Sequence, residues 1–253
     1  MIALISPAKT MRSTGGVVSF EDTTEPRFME HTRHIATLMM RYNTEQLSEI
    51  FKISDALARE LRVRFDGFFE ESMPSVAAVE SYDGVVYKHF KGEFSLREQN
   101  YLQSHVRISS LMYGLLRPLD RVRPYRMEGF VRMAGSDERV DRYWRNIQTS
   151  VLIADVQASG GELLYLASKQ EQDAFNWREV RAAVRVIDIQ FLVQKGDKLR
   201  QVVIYTKMAR GEMLRYMLEN NITDPEHLKA FEWSGYRYVE SLSNSERWVW
   251  VME

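Results

Sequence analysis

Residues 106–132, here called the arginine corner, constrain the fold more than any other stretch, because they combine a fixed backbone with charges that need partners. The corner carries six arginines against two acids, and its prolines at 118 and 124 disfavour a continuous helix. Interleaved apolar side chains predict that it packs on the core. Arginines are rarely buried without anionic partners. Those that need such partners here are Arg117, Arg121, Arg123 and Arg126.

Two interpretations of the arginine corner follow from the residues alone. A rigid corner that presents several guanidinium groups is suited to binding an anion. The alternative is a structural corner whose arginines pair with the neighbouring Asp120 and Glu128. The local sequence does not separate these alternatives.

Composition is that of an ordinary globular protein, with 45% hydrophobic and 27% charged residues in 253. The net charge of -1 excludes a polycation, so a nucleic-acid site would need local clustering of cations. Without cysteine, the chain has no thiol catalysis and no thiolate metal site. No apolar run reaches the roughly 18 residues of a membrane helix, and the start lacks the features of a signal peptide. We therefore expect a cytoplasmic protein that does not enter a membrane.

Hydrophobic periodicity predicts helices and strands in one mixed α/β (α+β) domain over residues 1–253, with helices surrounding a mixed sheet. Predicted strands lie at 2–5, 105–110 and 162–167. Predicted hairpins pair 184–193 with 199–205 and 236–242 with 247–252. Predicted helices lie at 26–41, 96–104, 137–159 and 207–220, with a short one capped by Thr223. Residues 11–25 are predicted to form a polar loop. No internal repeat or linker divides the chain.

Residues 45–65 predict two short amphipathic helices joined by a tight turn at 51–54. Their apolar residues have the offsets of a helix-hairpin-helix, in which backbone N–H groups and the second helix's N-terminus face a phosphate. Lys52 and Ser54 stand where that module usually has glycines. The residues predicted to contact DNA are Lys52, Ile53, Ser54, Arg59, Arg62 and Arg64. The alternative is a plain helical hairpin packed on the core.

Polar and cationic side chains follow predicted strand ends, where open α/β sheets bind ligands. Ser6 and Lys9 follow the first strand, and Ser168 follows the strand at 162–167. Lys207 and Arg210 begin a predicted helix, where two cations are electrostatically unfavourable. Anion binding at this position is one explanation, and an accident of the surface sequence is the alternative. Together with the arginine corner they predict one anion-binding cleft. Its residues are Ser6, Lys9, Arg117, Tyr125, Arg126, Ser168, Lys207 and Arg210.

No metal and no cofactor are predicted. His31 and His34 lie one turn apart on a predicted helix, but no nearby carboxylate or histidine completes a coordination set, so a surface pair is favoured. Ser6 and Lys9 also match the S-x-x-K signature of penicillin-binding enzymes. That signature requires S-D-N and K-T-G tripeptides elsewhere, and neither occurs.

Taken together, the motifs resemble those of the bacterial YaaA family of peroxide-stress proteins over essentially the whole chain. They are ISPAKT at 5–10, LRPLD at 116–120, PYR with Glu128 at 124–128, LAS at 166–168 and KMARG at 207–211. The resemblance implies a cytosolic protein with the cantaloupe fold. It also implies DNA binding through a basic cleft and a helix-hairpin-helix, and a role in limiting iron-driven oxidative damage. After LAS the family usually has an acidic-Glu-Tyr ending, whereas this chain has KQE at 169–171.

Two hypotheses from different classes result. In the first, the protein binds double-stranded DNA without strong sequence preference as part of the peroxide-stress response. In the second, it is an enzyme acting on a small anionic substrate that carries a phosphate or carboxylate, held in the predicted cleft. The groups proposed for proton transfer in that enzyme are Lys9, Glu128 and Lys207.

Overall fold

The computed structural model describes residues 1–12 and 22–253, in which one large sheet is surrounded by helices. Strands lie at Ile2–Ile5 (β1), Val76–Ala77 (β2), Val106–Ser110 (β3), Gly114–Leu116 (β4), Arg121–Val122 (β5), Glu162–Tyr165 (β6), Arg185–Lys195 (β7), Lys198–Arg200 (β8), Tyr236–Tyr238 (β9) and Arg247–Met252 (β10). Helices lie at Met29–Met39 (α1), Thr44–Phe51 (α2), Asp55–Asp66 (α3), Ala78–Ser81 (α4), Val85–Phe90 (α5), Leu96–His105 (α6), Val140–Ala158 (α7), Trp177–Ala183 (α8) and Val203–Glu219 (α9). Short 3-10 helices lie at Lys169–Ala174, Pro225–Ala230 and Glu240–Leu242.

The predicted mixed α/β fold is confirmed. The described residues form an eight-stranded sheet in the order β4-β3-β1-β6-β7-β10-β9, with β8 paired to β7. Neighbours from β3 to β10 in this order are parallel, whereas β4, β8 and β9 pair antiparallel. A pair β2–β5 forms a separate small ribbon. The assignment to the cantaloupe fold stays a prediction.

The direction of strand order reverses at β1. From β1 the chain passes to β3 on one side, and later to β6, β7 and β10 on the other. Every residue of β1 is buried, as expected for a central parallel strand covered on both faces. Outside the carboxyl ends of the strands flanking such a reversal, open α/β sheets form a crevice. A ligand site is therefore expected at the carboxyl ends of β1 and β6.

A sharp turn between β3 and β4 gives the arginine corner its shape. Gly114 adopts a positive φ of 71°, and a Cβ there would lie 2.7 Å from Trp144 Cζ3. Only glycine accepts both the left-handed backbone and the close approach of the indole. The buried Trp144 ring from α7 thus packs directly on this turn, and its Nε1 donates a 3.0 Å hydrogen bond to the Leu111 carbonyl.

A helix cap and a turn that the sequence predicts are confirmed. Ser95 caps α6 and forms a capping box with Glu98, as its spacing predicts. The turn at residues 196–197 joins β7 to β8 as predicted. Part of the predicted polar loop at 11–25 lies outside the described residues, namely 13–21.

The predicted strand at 199–205 is wrong beyond Arg200, because α9 begins at Val203. The β-branched run at 202–204 favours a strand by local propensity, but tertiary packing overrides propensity of this size. Once α9 has begun, the buried Thr206 donates a 3.4 Å hydrogen bond to the Phe191 carbonyl on the sheet. Lys207 and Arg210 are therefore not at the helix start, and the dipole argument for them lapses because the effect fades beyond the first turn.

Other element ends are also corrected. The helix predicted from residue 26 begins at Met29, and Asp224 rather than Thr223 caps the 3-10 helix that follows it, where Pro225 occupies the first position. In the last hairpin, β9 ends at Tyr238 and a 3-10 helix replaces the rest of the predicted strand. None of the helices in the described ranges is long and apolar enough to cross a membrane.

The contact between α5 and α9 leads to a stability prediction. A Cβ on Gly211 would lie 2.3 Å from the Val86 carbonyl oxygen and 2.6 Å from His89 Cβ. We expect Gly211→Ala to lower the free energy of unfolding by about 1–3 kcal/mol through overpacking. Gly92→Ala is the matched control, because its Cβ would meet only the flexible end of Arg215 at 3.3 Å. Urea denaturation compares the two variants, and equal midpoints for both would contradict the packing account.

Candidate functional site

The carboxyl ends of β1 and β6 bring Ser6 and Ser168 together. β1 and β6 are parallel neighbours, and Ser6 directly follows β1 whereas Ser168 follows the two buried residues after β6. The Ser168 N–H donates to Ser6 Oγ over 2.8 Å. Residues 162 positions apart in the chain are thus joined at the crevice where the strand order reverses.

Glu171 is the centre of this junction, and sequence reasoning missed it. Its Oε2 accepts hydrogen bonds from Ser6 Oγ at 2.8 Å and from Ser168 Oγ at 2.6 Å. The residue is only 4% exposed. Burial raises the pKa of the Glu171 carboxyl above its ordinary value, while the bonds from Ser168 and Ser6 oppose that rise. The one available sequence signal was its place three residues after a capping serine.

Arg210 approaches the same junction from α9. Its Nε is buried without a hydrogen-bond partner in the described part of the chain. Burial lowers the pKa of the Arg210 guanidinium, and the nearby Tyr165 and Glu171 act in the opposite direction. A buried guanidinium nitrogen that lacks an acceptor is costly in a folded protein. It is therefore the group in this region that most needs an anionic or hydrogen-bond-accepting ligand.

A cavity of about 520 Å³, here called the Arg210 cavity, opens beside the junction. Residues from β6, β7, α9 and the loop after β6 line it. Its polar lining includes Ser168, Lys169, Asp188, Gln190, Thr206, Lys207 and Arg210. Of the predicted cleft, Ser168, Lys207 and Arg210 therefore meet in one cavity of a size that accepts a small molecule.

Lys9, Arg126 and Glu128 form a second cluster on the other side of Glu171. Lys9 Nζ lies 2.8 Å from Glu128 Oε1, and Arg126 Nη2 lies 3.2 Å from the same oxygen. The carboxylate is 9% exposed, whereas the Lys9 side chain is 56% exposed. A small cavity of about 50 Å³ joins this cluster to Glu171 and Tyr125. One buried carboxylate thus pairs with two cations, so the cluster has a net positive charge.

Tyr125 has a supporting position. Its hydroxyl lies 2.8 Å from the Tyr82 hydroxyl and 2.7 Å from Ser110 Oγ, in a buried chain of hydroxyl groups. Burial raises the pKa of Tyr125 to about 12. Because the hydroxyl is already engaged, Tyr125 orders the backbone next to Arg126 rather than offering a free donor.

Helix α3 forms the far wall of this second cluster. A cavity of about 240 Å³ lies between Lys9 and Arg126 on one side and Leu57, Glu60 and Arg64 of α3 on the other. Arg64 lies 2.5 Å from Glu60 within the same helix. The predicted cleft residues and the predicted DNA-contacting helix therefore share one groove.

The turn between α2 and α3 is tight and exposes a cation. Lys52 adopts the left-handed conformation with φ 54°, a position where glycine is usual, and its Nζ lies 5.6 Å from the Phe130 ring centroid. Ser54 caps α3. Ile53 is half-buried and packs on the core. The assignment of this pair to the helix-hairpin-helix class stays a prediction.

The predicted DNA-contacting arginines of α3 differ in availability. Arg59 is exposed, and the described residues give it no carboxylate partner. Arg62 donates a 2.7 Å hydrogen bond to the Met40 carbonyl, which connects α3 to the loop after α1. It also pairs with Asp66 of the same helix at 2.6 Å. Asp55 in the first turn of α3 is exposed and opposes an anion there. Lys52 and Arg59 are thus the cations available to a partner.

Arg117 lies apart from the predicted cleft. It pairs with Asp120 at 2.8 Å, and its Nη2 donates to the Glu25 carbonyl. Asp120 is fully buried, so it requires the guanidinium as a charge partner. The structural alternative for the arginine corner therefore describes Arg117, and the pairing of Arg126 with Glu128 fits it as well.

Tyr143 is the partner of both candidate metal-binding histidines. His31 Nδ1 lies 2.8 Å from the Tyr143 hydroxyl, and the His34 ring stacks on the Tyr143 ring at 5.9 Å. Residues 1–12 and 22–253 contain no group of three or more histidine or acidic side chains that could hold a metal ion.

Comparison with known proteins adds the family context. The sequence profile described as "Peroxide stress protein YaaA" matches residues 1–242. A UPF0246 protein of Parabacteroides distasonis is 41% identical over 255 residues, covering 100% of both chains. A UPF0246 protein of Bacteroides thetaiotaomicron is 39% identical, covering 99% of this chain and 98% of its own. A UPF0246 protein of Hahella chejuensis is 33% identical over 100% of both chains.

The Glu171 junction yields a pH prediction. A carboxyl whose pKa is raised by folding stabilises the protein when protonated, and that stability is lost as the pH rises through the folded pKa. Glu171→Gln removes the ionisation but keeps an oxygen for the serines. We expect the stability of this variant relative to the native protein to increase from about pH 4 to about pH 8. Glu49→Gln, on the exposed face of α2, is the control. Denaturation curves at both pH values measure the difference, and a pH-independent difference would refute this account.

Proposed function

The chain belongs to the family of the peroxide stress protein YaaA, and we propose that it binds double-stranded DNA in the cytoplasm during peroxide stress. In this role it limits iron-driven oxidative damage to the bound DNA. Because the chain has no cysteine, protection does not depend on removal of peroxide by a thiol. DNA binding is proposed to need phosphate contacts only, so sequence preference is low.

The turn between α2 and α3 carries this proposal. Lys52 projects from a left-handed position at the turn. In the first turn of α3 the Leu57 N–H donates to Ser54 Oγ, whereas the N–H groups of Asp55 and Ala56 have no acceptor within the helix. A backbone phosphate at this N-terminus would receive both kinds of donor. Arg59, one turn further along α3, is exposed and extends the same cationic face.

The groove beside α3 supports a longer contact. Lys9 and Arg126 face Arg64 across the 240 Å³ cavity. The Lys9 ammonium is more than half exposed even while it pairs with Glu128. These cations would follow a phosphate backbone away from the turn. Local clustering of this kind is what a chain of net charge -1 requires to bind DNA.

We expect Lys52→Glu to weaken binding to any duplex by about tenfold at low salt, because it removes one phosphate contact and adds repulsion. The slope of log affinity against log salt should fall by about 1 for the lost contact. Lys195→Glu, the same charge change at the exposed last residue of β7, is the matched control. Fluorescence anisotropy with two unrelated duplexes measures all three proteins.

Asp55→Asn provides a test of opposite sign. It removes the negative charge from the first turn of α3 while keeping the oxygen that accepts the 3.0 Å hydrogen bond from Ser48 Oγ. We expect tighter DNA binding from this variant. If Lys52→Glu and Asp55→Asn both bind as the native protein does, the turn has no part in DNA binding.

A second function is favoured by the buried, unpartnered Arg210 Nε in the Arg210 cavity. We propose that the cavity takes a small substrate with a phosphate or carboxylate, held by Arg210 and Lys207. Ser168 Oγ, which lines the cavity and donates to Glu171, would attack the acyl or phosphoryl centre and break its bond to the leaving group. The ionised Glu171 would accept the Ser168 proton during attack and pass it to the leaving group, and water would then release the serine ester.

This second function is tested by separating binding from turnover. Ser168→Ala should bind phosphate- or carboxylate-bearing compounds as the native protein does but lose hydrolysis of a phosphate-ester and carboxylic-ester panel. Arg210→Gln should lose binding, by roughly tenfold or more for a buried charged contact. Arg178→Gln on the exposed face of α8 is the control. Thermal shift measures binding, and hydrolysis that survives in Ser168→Ala would exclude Ser168 as the nucleophile.

A further inference from the structure

Arg121 and Arg123 are the members of the arginine corner that neither proposed function uses. Arg117 and Arg126 each have a carboxylate partner, whereas in the described chain Arg121 and Arg123 form no ion pair. Arg121 Nη2 and Nε donate to Ser75 Oγ at 2.9 and 3.1 Å. Arg123 Nη1 donates to the Phe68 carbonyl. Both guanidinium groups are therefore held in place by neutral acceptors rather than by carboxylates.

These two arginines line a cavity of about 550 Å³, here called the Arg121 cavity. Arg33, which is exposed on α1 and has no carboxylate partner in the described residues, lines it from the opposite element. The cavity also has two acids, Glu25 and Glu71, so that three guanidinium groups face two carboxylates. Its polar surface thus offers strong donors for an anion and strong acceptors for hydroxyl or amino groups.

The remaining lining is apolar and aromatic. Phe69 is 44% exposed, so its side chain is accessible to a ligand. Met29 and Met73 lie beside it in the lining, and thioethers make favourable contacts with aromatic rings. Tyr113 forms the base of the cavity and accepts a 2.9 Å hydrogen bond from the Arg123 N–H. A flat ring of a ligand would find both stacking and soft apolar contact here.

We propose that the Arg121 cavity binds the phosphate, sugar and base of a 5′-nucleoside monophosphate group. Guanidinium forks match the phosphate, the carboxylates accept hydrogen bonds from ribose hydroxyls or a base amino group, and Phe69 stacks on the base. No residue of this cavity belongs to the DNA-contacting set or to the Arg210 cavity. The site is therefore independent of both proposed functions, and its chemistry fits a nucleotide better than a bare phosphate.

Calorimetry with AMP, ribose 5-phosphate and inorganic phosphate tests the site on the full-length protein. We expect AMP to bind most tightly and inorganic phosphate most weakly. Arg33→Ala and Arg121→Ala should each weaken AMP binding by roughly tenfold, because each removes a charged contact. Arg200→Ala, exposed on β8, should leave it unchanged, and so should Lys52→Glu, which alters the proposed DNA surface.

The 5′-nucleoside monophosphate group could come from a free nucleotide or from the end of a nucleic-acid strand, and a 5′-phosphorylated dinucleotide distinguishes these two sources. Competition with AMP would identify the end of a nucleic-acid strand as an occupant, and failure to compete would identify a free nucleotide. Phe69→Ala separates a nucleotide site from a simple anion site, because it should weaken AMP but not ribose 5-phosphate. Equal affinity for AMP and inorganic phosphate, or AMP binding that survives both arginine substitutions, would overturn the proposal. Unchanged thermal unfolding of the variants excludes misfolding as the cause.

Discussion

The hydrogen bonds from Ser6 and Ser168 to Glu171 hold together the two strand ends on which both sides of the candidate cleft depend. β1 leads to the loop that carries Lys9, and β6 leads to the 3-10 helix at Lys169–Ala174 that carries Glu171. One buried carboxylate therefore sets the distance between these loops. On one side lies the Arg210 cavity and on the other the cluster around Glu128.

Buried acids decide which arginines of the corner are structural. Asp120 and Glu128 are both removed from solvent, and an unpaired buried carboxylate would be strongly destabilising. Asp120 therefore engages Arg117, while Glu128 engages Arg126 together with Lys9. Arg121 and Arg123 pair with neither of these acids and line a separate cavity. The structural interpretation of the corner thus describes Arg117 and Arg126, whereas anion binding stays a prediction.

The chain belongs to the peroxide-stress family but has no cysteine. It therefore cannot remove peroxide by thiol chemistry. The described residues include the exposed cationic turn between α2 and α3 and separate cavities with guanidinium groups in their walls. Helix α3 follows this turn and forms one wall of the 240 Å³ cavity. The Arg210 cavity is lined by other elements, namely β6, β7, α9 and the loop after β6.

Local sequence determined those features whose partners are near in the chain. The Ser95–Glu98 capping box, the turn between β7 and β8 and the central strands follow from residues within a few positions of one another. Polar residues that follow parallel strands meet at one edge of the sheet, and this rule predicted that Ser6 and Ser168 lie close together.

Only the tertiary structure decided which charges are paired and which are free. Ser6 and Glu171 are 165 residues apart, and Glu171 gave no signal of burial in a polar stretch. Arg117 and Arg121 are chemically alike and four positions apart, yet one meets a buried acid and the other a serine. The start of α9 at Val203 was likewise set by packing against the sheet, over a run whose propensity favours a strand. The physical reason is common to all three: propensity and capping act over one turn of chain, whereas burial and charge pairing depend on neighbours that only folding supplies.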